Sequence, residues 1–252
     1  MLNKSNSHIT SVVDTELMNY HELRLSNELV WGKEVLIDRF GIKMGKRKNK
    51  KGVSIFGVGS TEVQSDNGYT NDFIINLKNN DLGNMNIAIF SIEFEKCHEK
   101  FLLKRLSKKV KVFLSAIQGI ELAKEKEHCF YVGKVKLKIK LSHDCDNDVD
   151  NNKCKLIIKV KKDKNDWQEQ TFTAFPVTIG RSSGAVIIKN NSISKVHAII
   201  DYNKEFEIYY IKDMQSTNGT YKSIHYEDHV AIKDEMVFKV FETKLIVEEY
   251  ET

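Results

Sequence analysis

Short runs of β-branched and alternating residues recur along nearly the whole chain, and they constrain its fold more than any other feature. Glu34-Val35-Leu36-Ile37, Phe73-Ile74-Ile75, Ile87-Ala88-Ile89-Phe90, Val110-Lys111-Val112-Phe113 and Val135-Lys136-Leu137-Lys138-Ile139 lie in the first half. Lys155 to Val160, Val177-Thr178-Ile179, Val186-Ile187-Ile188, Ala198-Ile199-Ile200, Glu207 to Ile211 and Lys244-Leu245-Ile246-Val247 follow in the second. Runs of this length, separated by turn residues, predict strands and an all-β sandwich architecture. One proline and thirteen glycines rule out collagen-like and proline-linker chains, and 10% aromatic residues argue against disorder along the whole length. Upstream, Leu17 to Val30 has fair apolar spacing for a short helix, so residues 1–33 are expected to be an N-terminal extension containing one.

The segment Ser142 to Lys153 carries Asp144, Asp146, Asp148 and Asp150 with three asparagines, and Val149 is its only apolar residue besides a cysteine. Such a stretch reads as a linker over residues 142–153, dividing the chain into sandwich domains at 34–141 and 154–252. Its opening, Asp144-Cys145-Asp146-Asn147-Asp148, begins like a calcium loop, but Val149 stands where the turn glycine belongs and Lys155 where the bidentate acid belongs.

In the second half three polar clusters follow one another at the ends of predicted strands: Ile179-Gly180-Arg181-Ser182, Ser194-Lys195-Val196-His197-Ala198 and Ser216-Thr217-Asn218-Gly219-Thr220. A sandwich gathers its loops at its two ends, so these clusters can converge. Their chemistry is that of an anion site. Arg181 offers a permanently charged fork, Ser194 and Thr217 offer hydroxyls, Lys195 adds a second cation and Gly219 permits a sharp turn. A phosphorylated side chain, with about −1.5 to −2 charge and three acceptor oxygens, matches these donors in sign and number.

At these residues the sequence resembles the forkhead-associated (FHA) domain, a β-sandwich whose hallmarks are Gly-Arg, Ser-x-x-His and a Ser/Thr-x-Asn-Gly turn. The resemblance spans roughly residues 154–250 and implies phosphothreonine-peptide binding. It implies that Arg181 and Ser194 hold the phosphate, that Thr217 assists, that Lys195 contacts phosphate or a neighbouring acidic group, and that Asn218 bonds the peptide backbone. Gly180, His197 and Gly219 become architectural. If the Ser194–His197 segment is extended, positions three apart face opposite sides, leaving Ser194 for a ligand and His197 to brace the loops.

The first half reads as a degenerate copy. Phe130-x-Val132-x-x-x-x-Leu137 repeats as Phe238-x-Val240-x-x-x-x-Leu245, and Asn79 to Ile89 lies over Asn190 to Ile200. Aligning Met44-Gly45-Lys46 with Ile179-Gly180-Arg181 leaves an insertion at residues 46–70, opening with the basic run Lys46-Arg47-Lys48-Asn49-Lys50-Lys51. Lys46, Gly83, Asn86 and Lys108 to Lys111 would then replace the binding residues, so no specific phosphothreonine pocket is expected there. The basic run itself reads as a solvated loop first, with a nuclear-import signal or a nucleic-acid or acidic-partner contact as alternatives.

Catalysis has no supporting constellation: Ser194 and His197 are expected to face apart without an assigned orienting carboxylate, and Gly57-Val58-Gly59-Ser60 lacks the features of a nucleotide loop and reads as a flexible loop. His143, Cys145 and Cys154 would need a fourth ligand from elsewhere, Cys97 and Cys129 form no pair motif, and neither metal nor cofactor is expected. The chain has 39 Lys+Arg against 35 Asp+Glu, a formal +4, and this even balance argues against nucleic acid as the partner. No apolar run of spanning length and no signal pattern stands out, so an intracellular protein is expected, nuclear or cytoplasmic.

The expected function is that of a non-catalytic adaptor for a phosphothreonine-containing protein, with residues 34–141 available for a constitutive protein contact. The alternative is a structural subunit that uses both sandwiches as phosphate-independent docking modules. Thr10 or Thr15, if phosphorylated, could occupy the site within the chain or in a neighbouring copy.

Overall fold

The computed structural model describes residues 22–26, 35–38, 41–42, 52–75, 85–143, 154–163, 166–226 and 228–250. Every regular element among them is a strand: β1 (Glu22–Ser26), β2 (Val35–Asp38), β3 (Gly41–Ile42), β4 (Val53–Val58), β5 (Phe73–Ile74), β6 (Ile87–Glu95), β7 (Lys100–Arg105) and β8 (Val112–Ser115). There follow β9 (Ile120–Glu121), β10 (Glu127–Val132), β11 (Val135–His143), β12 (Cys154–Lys161), β13 (Trp167–Phe172), β14 (Val177–Gly180), β15 (Val186–Ile187), β16 (Ala198–Asn203), β17 (Ile208–Asp213), β18 (Thr220–Ser223), β19 (His229–Ala231), β20 (Val237–Val240) and β21 (Thr243–Tyr250). Alternation makes these strands: in β12, Cys154, Leu156, Ile158 and Val160 are buried while the residues between them are half-exposed. Among the described residues no helix is long and apolar enough to cross a membrane.

The strands form one eleven-stranded sheet, in the order β13-β12-β11-β10-β18-β8-β20-β21-β1-β2-β3, and two five-stranded sheets, β15-β14-β16-β17-β9 and β19-β7-β6-β4-β5. The two short sheets share one plan. In each, the strand next to one edge pairs in parallel with a two-residue edge strand (β14 with β15, β4 with β5) and antiparallel with the central strand (β16, β6). The long sheet is palindromic about β18 and β8, which pair antiparallel as Tyr221↔Ser115, Lys222↔Leu114 and Ser223↔Phe113. On either side of this seam stands a hairpin of the repeated sequence, β10–β11 and β20–β21, with Phe130↔Leu137 in one and Phe238↔Leu245 in the other. All four of these residues are fully buried.

Pairing does not follow the two halves of the sequence. β9, β10 and β11 precede the Asp-rich segment, yet they hydrogen-bond to β17, β18 and β12 beyond it. Reciprocally, β19 pairs with β7, β20 with β8 and β21 with β1. Each half thus lends its last three strands to the other. One core cluster joins residues of all three sheets: within it Phe238 of β20 packs edge-on to Phe90 of β6, with centroids 5.3 Å apart, and Phe90 stacks on Phe56 of β4 at 4.8 Å. A sandwich core of interdigitated inner faces results.

Several expectations change. The described part of the predicted helix, Glu22–Ser26, is a strand held between β2 and β21, because Leu25 alternates inward and Arg24 pairs outward with Glu248 at 3.7 Å. The stretch read as an insertion at 46–70 contains β4, whose Phe56 is fully buried, so Gly57 and Val58 belong to a strand rather than a flexible loop. The parallel register Gly57↔Ile74 repeats Gly180↔Ile187, making Gly57 and not Gly45 the counterpart of Gly180. The basic run 46–51 lies outside the described residues. So do residues 144–153, but the strands that bracket them are direct neighbours, with Ser142↔Lys155 and His143↔Cys154, so the expected linker connects two adjacent strands of one sheet.

Candidate functional site

β14 runs out at Gly180 and delivers Arg181, the loop before β16 carries Ser194, Lys195 and His197, and the loop between β17 and β18 carries Ser216 to Gly219. Gly180 is required by space. A Cβ there would stand 2.2 Å from the Lys195 carbonyl oxygen and 2.3 Å from that of Ser183. This close approach lets the Arg181 N–H reach the Ser194 carbonyl at 2.9 Å and the His197 N–H reach that of Ile179 at 2.8 Å.

His197 is completely buried and ties the three loops together. The Ser194 N–H donates to its Nδ1 at 3.0 Å, so the proton sits on Nε2, which donates to the Gly219 carbonyl at 3.1 Å and lies 2.9 Å from Ser216 Oγ. Ser216 Oγ in turn donates to Asp213 Oδ2 at 2.8 Å and accepts the Gly219 N–H at 2.9 Å. Asp213, itself buried, also receives the Ser216 N–H on Oδ1 at 2.8 Å and the Thr220 hydroxyl on Oδ2 at 2.7 Å. The carboxylate is thereby spent on loop geometry. Ser216 lies between His197 and Asp213, which are 3.8 Å apart, and Nδ1 is occupied by a main-chain N–H, so this Ser, His and Asp do not form a nucleophile-base-orienter relay.

Sequence reasoning reached the inward position of His197 through an extended segment. The structure reaches it through a bend, closed by the bond from Ser194 N–H to the ring. Arg181, Lys195, Thr217 and Asn218 are exposed and Ser194 is half-buried. Ser194 Oγ accepts the Thr217 N–H at 3.2 Å and keeps its own proton for a ligand. Asn218 Nδ2 donates to the Ser192 carbonyl at 2.9 Å, which leaves its second N–H and its Oδ1 available. Among the described residues no carboxylate pairs with Arg181 or Lys195, so two cations and a hydroxyl are presented on loops whose one nearby acid is buried and satisfied. Such a rim attracts anions.

Sequence reasoning placed Ser216 in the turn motif without giving it a role, and it missed Asp213, Ser192 and two residues of the first half, Gly133 and Lys134. The Gly133 N–H donates to the Gly219 carbonyl at 3.0 Å and the Lys134 N–H donates to Ser192 Oγ at 2.9 Å. The repeat itself carried a signal: the Phe-x-Val-Gly-Lys at 130–134 departs from Phe-x-Val-Phe-Glu at 238–242 only at these two informative positions.

The equivalent loops of the other sandwich differ. Val58 follows Gly57 where Arg181 follows Gly180, and it is buried. Asn86 braces the loops through its amide, with Oδ1 accepting from Ser60 N–H and Asn71 Nδ2 and Nδ2 donating to the carbonyls of Val63 and Gln64, all at 3.2 Å. The cation of this region points inward. Buried Arg105 donates to the carbonyls of Ser107, Val110, Lys108 and Ile224 at 2.7 to 3.1 Å, leaving no fork for a ligand.

A β-sandwich that braces three loops from within and turns their cations and hydroxyls outward is a recognition module. Residues 177–238 match the family model of the FHA domain, and the chain therefore carries an FHA domain. Among solved structures, it is similar to a chain from a structural and functional analysis of phosphothreonine-dependent FHA domain interactions, at 16% identity and TM-score 0.22 over 38% of this chain and 99% of that one. It is also similar to Mycobacterium tuberculosis EmbR in complex with a low-affinity phosphopeptide, at 19% identity and TM-score 0.19 over 34% of this chain and 22% of that one. A third is the MEK1 FHA domain in complex with a HOP1 phosphothreonine peptide, at 23% identity and TM-score 0.16 over 32% of this chain and 90% of that one. No curated protein matched the sequence.

Proposed function

We propose that the chain is a non-catalytic adaptor that recognises a phosphothreonine-containing protein through Arg181, Ser194, Lys195, Thr217 and Asn218. The observation that carries this reading is the division of labour at the site: His197, Asp213 and Ser216 consume one another's polar groups below the surface, while the residues above them stay open. Arg181 offers a charge-assisted fork to two phosphate oxygens, and Ser194 Oγ and the second Asn218 N–H offer neutral donors to phosphate and peptide. The sandwich completed by β19, β20 and β21 acts as an FHA-like unit without this pocket, available for a constitutive protein contact. A single phosphopeptide covers little surface, so affinity is expected to be about micromolar.

The test is titration of the full chain against a degenerate phosphothreonine peptide library, with unphosphorylated, phosphoserine and Arg181→Ala controls. Binding that requires both the phosphothreonine and Arg181 supports the reading. A folded chain that binds no member of the library would overturn it in favour of a structural subunit whose sandwiches dock without phosphate.

A further inference from the structure

The peptide-binding loops lie in the second half of the sequence, yet the strand neighbouring them is β10, whose Tyr131 and Val132 pair with Tyr221 and Thr220 directly after Gly219. The turn that follows β10 lies on two of the three site loops at once. Gly133 N–H and His197 Nε2 donate to the same Gly219 carbonyl, at 3.0 and 3.1 Å, fixing the end of the 216–219 loop from both sides. Lys134 N–H donates at 2.9 Å to Ser192 Oγ, which donates at 2.7 Å to Asn190 Oδ1, while the Ser192 carbonyl holds Asn218 Nδ2 at 2.9 Å. The loop that carries Ser194 is therefore clasped between the turn of the first half and Asn218 of the site.

The identity of Gly133 shows what this contact demands. Its φ is +57°, and its counterpart in the repeated hairpin, Phe241, holds a φ of +53° with a full side chain packed against the core. Backbone conformation alone thus does not require glycine here. Space does, because a Cβ on Gly133 would lie 2.3 Å from the Ser192 carbonyl oxygen and 2.8 Å from its Oγ. Glycine stands in the turn that touches the exposed cation and hydroxyl cluster, and phenylalanine stands in the turn belonging to the sandwich whose arginine points inward.

We infer that the phosphopeptide site is a joint product of the two halves, with Gly133 and Lys134 of the first half acting as positioning residues that hold the loops of Ser194 and Asn218 in their binding geometry. The inference rests on the function proposed above for those loops. It makes binding conditional on the exchange of β9, β10 and β11, so that residues 154–252 alone carry the motifs without the site.

The test uses the full chain and a phosphothreonine peptide that the wild type binds. Ser192→Ala removes the acceptor of Lys134 N–H at a half-buried position, and Gly133→Ala forces the turn off Ser192; each is expected to weaken binding about tenfold, the equivalent of one to two hydrogen bonds. Ser192→Thr, which keeps the oxygen, is expected to restore most of it. For a readout that fold stability does not move, the amide resonances of Ser194 and Thr217 should shift in Gly133→Ala while those of Ser60 and Asn86 in the other sandwich stay in place. Wild-type affinity in both Ser192→Ala and Gly133→Ala, beside loss in Arg181→Ala, would overturn the inference and leave the function standing. If the wild type binds no phosphothreonine peptide the function fails, and the resonances of Ser194 and Thr217 still decide whether the turn positions these loops.

Discussion

Phe238 in β20 lies edge-on to Phe90 in β6, with ring centroids 5.3 Å apart and planes at 84°, although the two come from opposite halves of the chain. Both rings are fully buried, and Phe90 also stacks on Phe56, so the C-terminal hairpin supplies the centre of the core beneath the N-terminal strands. Removing a buried phenylalanine costs about 3–5 kcal/mol. Phe238→Ala is therefore expected to lower the urea midpoint by that equivalent and to expose amides of β4 and β6 to hydrogen exchange. Protection lost only within residues 154–252 would show that Phe238 belongs to a core of its own half.

Exchange of β9, β10 and β11 for β19, β20 and β21 makes a cut in the Asp-rich segment informative. A protease site placed within residues 144–153 should give two fragments that stay together through gel filtration, because β11 remains paired with β12, β10 with β18 and β20 with β8. Expressed separately, each fragment would present several strands with unpaired main-chain groups, and neither is expected to fold alone. Fragments that separate and remain folded would contradict the exchanged arrangement.

The strands were legible because alternation is written within each strand: Cys154 to Lys161 and Val135 to Ser142 declare their inner faces residue by residue. Their partners were not. A strand's own sequence gives its buried face but not which edge it joins, and β10 meets β18 through Val132↔Thr220 with nothing local to mark the choice. Matching Gly45 to Gly180 by the dipeptide Gly-Lys failed for the same reason, since the register that identifies Gly57 depends on a parallel partner further along the chain.

Buried polar bonding around His197 gives a prediction that separates frame from ligand contact. His197→Ala would strand the Ser194 N–H, at about 1–3 kcal/mol, and would take one of two donors from the Gly219 carbonyl, which keeps the Gly133 N–H. The expected result is a lower unfolding midpoint together with loss of peptide binding. Thr220→Val, which leaves Asp213 without one of its donors, should lower the midpoint with a smaller effect on binding. A His197→Ala variant as stable as the wild type would refute the bracing role.

Arg181 and Ser194 should behave in the opposite way. Arg181 is exposed and Ser194 half-buried, so Arg181→Ala and Ser194→Ala are expected to shift stability by no more than about 0.5 kcal/mol. Both should reduce phosphopeptide affinity by at least about tenfold, and Arg181→Lys should not restore it, because a point charge cannot bond two phosphate oxygens as the guanidinium does. Isothermal titration with one phosphothreonine peptide checks all three, and full rescue by lysine would reduce the role of Arg181 to simple charge. These residues were readable in the sequence because they sit in short motifs at strand ends. Gly133 and Ser192 were not, since their importance comes from a contact between chain segments that no motif joins.

Near the seam, His128 of β10 gives the stability a pH dependence of known sign. It is almost fully buried, its Nε2 lies 3.2 Å from the Ala123 carbonyl, and its Nδ1 has no hydrogen-bond partner. Burial, followed by the charge of Lys222, holds its pKa below the ordinary 6.5. The unfolded chain therefore takes up a proton at this residue before the folded one does. The stability present above about pH 6.5 declines as pH falls through that value toward the lowered folded pKa. Urea midpoints measured near pH 7.5 and again at about pH 5.5 should drop for the wild type by more than for His128→Gln, which cannot titrate. Equal drops in the two proteins would place the acid sensitivity elsewhere in the fold.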